Sequence, residues 1–352
     1  MQQKDSGEIK TISTMKTMMM ILVVIYHCAA LWMPVGWFNQ APKIRSDILG
    51  MLAEWLNYIH IYSFTFASGW LFYYSYIERK NTKNFTPILK KRFKRLIIPY
   101  IIVSIIWLLP FEIVYFHPTA GTLINKFVLG TSPRQLWFLL MLFNVNLLFV
   151  VAKSFLNRLK IGVHFIAGSA FLYIIGIGAS LLIRIGIPNF FQILTAVRYL
   201  LFFYLGYCFR KYGSKLLSKM NVCLSAFANI VLFSVLQFIK YNYTEIGAYM
   251  TVLLTPILCI SGIVLSYRVA SLLCNNGFFQ KYKHMKMFFE KDAFGIYMFH
   301  QQIIWIIINI LNRESVWPFF TFIVCFLLSM MCSIAITEIL RKIRPLGKLL
   351  QL

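Results

Sequence analysis

Acidic side chains are scarce in this sequence. Eleven aspartates and glutamates stand against 35 lysines and arginines in 352 residues, and charged residues of both signs make up only 13%. Soluble globular domains carry about 25%, so a water-facing surface of ordinary composition is excluded. Cysteine pairs are lacking too. Cys28, Cys208, Cys223, Cys259, Cys274, Cys325 and Cys332 form no Cys-x-x-Cys, and most lie inside apolar runs. They read as small core residues, with neither a disulfide framework nor a metal site expected. No low-complexity tract or repeat of about 20–50 residues stands out. The longest stretches between apolar runs, near 36–48, 117–134 and 268–291, leave no room for a soluble domain.

Apolar residues are what the sequence has in excess: 59% of the chain, with a mean hydropathy of +0.71. The excess extends over residues 17–340, more than a soluble core can use but suited to lipid. The net charge of +24 would suit nucleic acid if the cations formed one face of a soluble domain. They sit between apolar runs instead, the pattern of a multi-pass membrane protein, so no nucleic-acid partner is expected.

A span needs about 20 mostly apolar residues. By that measure the helices fall near 13–35, 49–77, 95–116, 135–152, 161–183, 190–209, 220–239, 246–267, 292–312 and 316–340, the sixth being interrupted by Arg198. The expected fold is an all-α polytopic bundle of about ten transmembrane helices, a single domain over residues 1–352. The first apolar run, from near Ser13 to Leu31 or beyond, is longer than a signal-peptide core and has no convincing cleavage site, so it is expected to be a retained span. The segments 1–16, 78–95, 153–160, 210–219, 268–291 and 341–352 hold 27 of the 35 basic residues. The exceptions are Lys43, Arg45, Lys126, Arg134, Arg184, Arg198, Lys240 and Arg313. That imbalance predicts both termini on the cytoplasmic side.

Ionisable side chains inside a bilayer cost about 2.5–3.5 kcal/mol each on insertion scales, which makes them functional candidates. His27 lies in the first span, and Lys16 precedes it by eleven residues. On an α-helix the two share one face about 16 Å apart, with Lys16 at the inner mouth. Glu54 and His60 on the second span, Glu112 on the third and Arg198 on the sixth share the outer half, and His300 lies nearer mid-membrane. Glu54 or Glu112 is a candidate to orient His27, as a carboxylate does in hydrolase triads. For each of these residues an interhelical hydrogen bond is the plainer alternative. A basic run, Lys90-Lys91-Arg92-Phe93-Lys94-Arg95, meets the start of the third span. Arg92 and Arg95 are neighbours on one helix face, and their planar forks suit phosphate. Anchoring to anionic membrane lipid is the competing use.

Taken together, these segments resemble the acyltransferase-3 family of membrane-bound O-acyltransferases over nearly the whole chain. Lys16 and His27 resemble the family's basic-x10-His signature. His60 through Leu71, containing Ser68-Gly69-Trp70, resembles its His-led Ser-Gly-Phe-Leu segment. Arg92-Phe93-Lys94-Arg95 with Pro99-Tyr100 resembles its Arg-x-x-Arg element. Leu136-Trp137-Phe138-Leu139, Phe202 through Tyr207, and Gly295 through His300 resemble three further segments. The His60-led form is most similar to the sugar and polysaccharide O-acetylase branch. Two positions depart from the pattern: Lys16 stands where Arg is usual, losing the planar fork, and Gln135 stands where His is frequent.

The resemblance implies a multi-pass enzyme of a bacterial plasma membrane that moves an acyl group, acetyl by expectation, from cytoplasmic acetyl-CoA (or another acyl-CoA) to a hydroxyl of a surface or lipid-linked glycan. Acyl-CoA would be a co-substrate, with no tightly bound cofactor. Lys16, Arg92 and Arg95 would hold the donor. His27 would be general base or transient acyl carrier, with Glu54, Glu112, Arg198 and His300 as catalytic candidates. His60, Ser68 and Trp137 would contact the acceptor. Membrane lipids and polysaccharide-synthesis machinery are the further partners it implies. The competing classes are a glycan transporter or flippase, against which no inverted repeat is visible, and a structural subunit of a polysaccharide synthesis complex.

Overall fold

The structure is a computed structural model describing residues 2–34, 41–78, 80, 85–156, 161–212, 220–243, 245–276 and 283–352. Arg79, Lys83, Arg158, Lys160, Lys215, Lys219 and Lys281 of the basic segments lie outside the described residues. Among the described residues there is no strand, and nine helices are long and apolar enough to cross a membrane. The chain is an all-α polytopic bundle.

The first helix, α1 (Gln2–Ala29), runs on into a short 3-10 turn at Ala30–Trp32. The stretch 49–77, expected as one span, is instead two helices, α2 (Asp47–Asn57) and α3 (His60–Phe72), the latter continued by a π-helical turn at Tyr73–Glu78. The break falls at Tyr58 and Ile59, whose N–H groups donate back to Trp55 and Leu56 carbonyls in tight turns. Ser46 caps α2 by accepting from the Leu49 N–H. After α4 (Thr86–Val103) and a π-helical turn (Ser104–Leu108) comes α5 (Leu109–Phe116). The remaining helices are α6 (Trp137–Leu156), α7 (Ile161–Arg184), α8 (Ile193–Tyr212), α9 (Val222–Asn242), α10 (Glu245–Asn275), α11 (Lys283–Arg313), α12 (Pro318–Lys342) and the short α13 (Arg344–Leu350).

Position in the bundle follows polarity. In α1 and in the span of α11, 61% of the most apolar window is buried inside the protein; in α7 it is 22%. The peripheral helices turn large side chains such as Ile166, Ile174, Phe227 and Ile246 outward, as a lipid-facing surface requires. Helix α3 is central and unusually polar: His60, Ser63, Thr65 and Ser68 are all buried on it. Those residues lower its hydropathy without making it a surface helix.

Central packing uses small residues so that backbones can meet. A Cβ on Gly69 of α3 would stand 1.9 Å from the Phe203 carbonyl oxygen of α8, and one on Gly206 of α8 would stand 2.0 Å from the Phe66 carbonyl oxygen of α3. The two glycines are reciprocal, each making room for the other helix's backbone. Phe72, Phe149 and Phe203 interleave beside them with ring centroids 5.0–5.7 Å apart. Charge ties the same end of the bundle on which α1 begins: Arg210 donates to Glu8 at 2.8 Å and also to Glu78, joining α8, α1 and the turn after α3.

Candidate active site

Three histidines meet where α1, α3 and α11 pack together. Each lies within a helix, with its Nδ1 close to the carbonyl oxygen four residues earlier. His27 is 2.8 Å from Val23, His60 is 2.5 Å from Leu56, and His300 is 2.8 Å from Ile296. A carbonyl oxygen only accepts, so each Nδ1 carries the proton and each neutral ring presents a lone pair on Nε2. The His300 Nε2 is 3.1 Å from the His27 Nδ1. With those roles fixed, His27 shares its one N–H between the Val23 oxygen and His300. The ring is held edge-on against Tyr26 and His300, with centroids 4.8 and 4.9 Å away, while Tyr26 also meets His60 at 4.9 Å.

His27 and His60 open onto a cavity of about 510 Å³. Trp137 lines it as well, with Tyr26, Tyr199 and Tyr297 as aromatic walls. Its polar lining comes from Asn57, Thr131, Ser132, Gln135, Gln192 and Gln301, and its two charged side chains are Lys126 and Arg134. The segment between α5 and α6 turns back toward the bundle to supply five of these residues. Tyr100 fixes it by donating to the Phe127 carbonyl at 2.5 Å, and Gln192 donates to the Gly130 and Thr131 carbonyls, both at 2.8 Å. Backbone in the left-handed region concentrates here: φ is 48° at Arg134, 49° at Phe191 and 59° at Gln192. Such conformations persist in non-glycine residues only where the surroundings over-determine them. Another hollow, about 650 Å³ and open to solvent, lies at the C-terminus between Arg341, Arg344 and Lys348; none of the three histidines borders it.

Gln135 is a clamp. Its N–H donates to Gln301 at 2.9 Å, its amide donates to the Met298 carbonyl at 2.7 Å and to Gln302 at 2.8 Å, and it accepts from Gln302 at 3.0 Å. Tyr297 donates to its carbonyl. The start of α6 is thereby fixed to the turn of α11 that carries His300.

The remaining sequence candidates are placed apart from the cavity lining. Glu54 or Glu112 is the sequence's candidate to orient His27, with an interhelical hydrogen bond as the alternative for each, and each makes its contacts with other side chains. Glu54 accepts from Lys240 at 2.9 Å and from Gln237, joining α2 to α9. Glu112 accepts from Lys126 at 2.8 Å and from Arg134. The side chain placed on the His27 Nδ1 is His300. The physical reason is charge pairing: Lys240, Lys126 and Arg134 neutralise the buried carboxylates directly. Arg198 does not reach outward to solvent. It donates to the Tyr62 hydroxyl at 2.6 Å, and Tyr62 stacks on Tyr199 at 4.6 Å. On α8 it is Tyr199, one residue on, that takes the place in the cavity wall. Ser68 spends its hydroxyl on the Phe64 carbonyl at 2.9 Å.

At the other end of α1, Lys16 sits 5.7 Å from the Phe64 ring centroid and within electrostatic reach of Arg92, Arg95 and Glu290. The Arg92 guanidinium lies 5.9 Å from the Tyr76 ring, and its buried Nε has no hydrogen-bond partner among the described residues. The fold therefore brings Arg92 and Arg95 of α4 near Lys16 of α1.

Sequence reasoning did not single out Lys126, Arg134, Gln192, Gln301 or Tyr297. A signal was present for the first two, which are among the eight cations on the wrong side of the charge pattern. No curated protein and no solved structure gives a significant match to the chain. The family model described as an acyltransferase domain, acyltransferase-3, matches residues 9–338. That match covers all three histidines, the basic cluster and the cavity, and with it the chain belongs to the acyltransferase-3 family of membrane acyltransferases.

Proposed function

We propose that this protein is an O-acetyltransferase of the cell envelope that moves an acetyl group from cytoplasmic acetyl-CoA to a sugar hydroxyl of a surface or lipid-linked glycan. In this reading the termini face the cytoplasm, following the lysine and arginine distribution, with the segment 49–77 completing an even number of crossings. Lys16, Arg92 and Arg95 hold the donor's phosphates, and the thioester arm runs along α1 toward the cavity. The acceptor occupies that cavity, with His60 and Trp137 beside it.

The observation that carries the reading is the place of His27 on the cavity wall, with its Nδ1 committed to Val23 and His300. The Nε2 lone pair takes the proton of the acceptor hydroxyl as its oxygen attacks the thioester carbonyl. The tetrahedral intermediate then expels the coenzyme A thiolate, and the imidazolium returns the proton to that sulfur. The new C–O ester bond replaces the C–S bond, and no redox partner enters. His300 acts as a positioning residue that holds the His27 ring.

The test is transfer of radiolabelled acetyl from acetyl-CoA to membrane glycan in vesicles containing the full-length protein. His27→Ala should reduce transfer by about 10²–10⁴-fold, the range for losing a general base, while insertion and expression are retained. Normal transfer in that variant would sink the role. Glycan movement without label transfer would favour a transporter instead.

A further inference from the structure

We propose that the acceptor bound in this cavity carries a negative charge, a carboxylate or a phosphate on the sugar, held by the Arg134 guanidinium together with Lys126. The inference deepens the acceptor-site reading above and rests on it.

Charge sign is the first observation. Among the described residues both charged side chains on the cavity lining, Lys126 and Arg134, are cationic, and no aspartate or glutamate lines it. The pairing of those cations is the second. Glu112 is 1% exposed and meets both with a single oxygen, Oε1, at 2.8 Å from the Lys126 Nζ and 2.5 Å from the Arg134 Nε. One carboxylate thus serves two cations, and the cavity keeps a net positive charge at a depth where uncompensated charge is costly. A second anion completes the set.

The third observation is the presentation of Arg134. Glu112 uses its Nε alone, and the two terminal nitrogens make no hydrogen bond among the described residues. Those two nitrogens form the edge that grips carboxylate or phosphate in bidentate fashion. The side chain is not loose: the guanidinium lies 4.6 Å from the Phe116 ring centroid, and the backbone is locked at φ 48°. A cation needed only to neutralise Glu112 would be redundant beside Lys126. One held by stacking, by a left-handed backbone and by one of its three nitrogens is arranged to present the other two.

The experiment uses the full-length protein in lipid nanodiscs, with sugar binding followed by saturation-transfer NMR competition. Glucuronate and glucose 1-phosphate are each compared with glucose. The charged sugars should bind at least about tenfold more tightly, and whichever of the two binds better identifies the anion. Arg134→Gln should remove most of that preference. Glu112→Gln, which deletes the counter-charge while keeping the shape, should widen it, so the proposal stays testable if the arginine variant does not fold. Equal binding of charged and neutral sugars would overturn the inference, as would a preference unmoved by both substitutions. The label-transfer assay separates this from the underlying reading. Acetyl transfer to neutral and charged acceptors at equal KM overturns the anion inference alone. Anion-selective binding without transfer to any acceptor supports the anion site and sinks the acetyltransferase reading.

Discussion

At the end of the bundle where α1 begins, Lys16, Arg92 and Arg95 stand within reach of one another, and the buried Nε of Arg92 has no partner among the described residues. Beside the cavity near the other end of α1, Lys126 and Arg134 share the buried carboxylate of Glu112. Both places hold cations partly withdrawn from water. They differ in how much of the positive charge the protein has already answered. The first, in the proposed function, takes the several phosphate oxygens of the donor; the second, in the proposed acceptor site, takes one anion. A polyanionic donor on one side and a singly charged acceptor on the other would need that asymmetry.

The comparison can be broken outright by disturbing what lies between the two ends. Gly206→Val in α8 would drive its side chain into the Phe66 carbonyl, since even a Cβ there stands 2.0 Å from that oxygen. We expect loss of folded protein by fluorescence-detected size exclusion, because overpacking against backbone costs at least about 1–3 kcal/mol. A well-folded variant retaining donor and acceptor binding would show that the close α3–α8 approach is dispensable. A narrower change sharpens the comparison. Arg92→Ala combined with Arg95→Ala should raise the apparent KM for acetyl-CoA by about 10–100-fold, from the loss of one or two charge-assisted contacts. The acceptor KM should move far less. An unchanged donor KM would assign the cluster to lipid anchoring instead.

The smallest expected effect comes from pH. Burial lowers the Lys126 ammonium below the ordinary lysine value, and its bond to Glu112 only partly offsets this. The group is charged below its shifted pKa and neutral above it. Affinity for glucuronate should therefore fall severalfold as pH rises, at a pH where an exposed lysine is still protonated. Arg134 stays charged throughout, so binding weakens without vanishing. In Lys126→Met that decline should be absent; the same decline in both proteins would assign it to another group.

Much of this was legible in the sequence, and the gaps have physical causes. The peripheral helices were plain because lipid demands unbroken apolar runs. The break between α2 and α3 was not, since neither proline nor glycine marks Leu56-Asn57-Tyr58-Ile59. It is fixed by packing: a Cβ on Gly262 of α10 would lie 3.1 Å from the Ile59 side chain. His27 and His300 were each visible as intramembrane histidines, but their contact joins positions 273 residues apart and depends on α1 packing against α11. Helical spacing carries no information about that. The glycines of Ser68-Gly69-Trp70 and Phe203-Tyr204-Leu205-Gly206 were read as parts of a family pattern. The reciprocal backbone contact supplies the reason these positions exclude a side chain. Lys126 and Arg134 were counted in the sequence only as exceptions to a topological rule, and their meeting at Glu112 follows from the folded-back segment after α5.

The hydrogen bond from each histidine ring to its own helix has a consequence for how such a site can arise and endure. In the proposed mechanism the choice of reactive nitrogen at His27 is made by a carbonyl one turn away, a partner that comes with any helix and cannot be mutated away. A conventional triad entrusts that choice to a carboxylate carried on a separate element. Here the Val23 partner travels on the histidine's own helix, so that contact does not depend on how α1 packs against its neighbours.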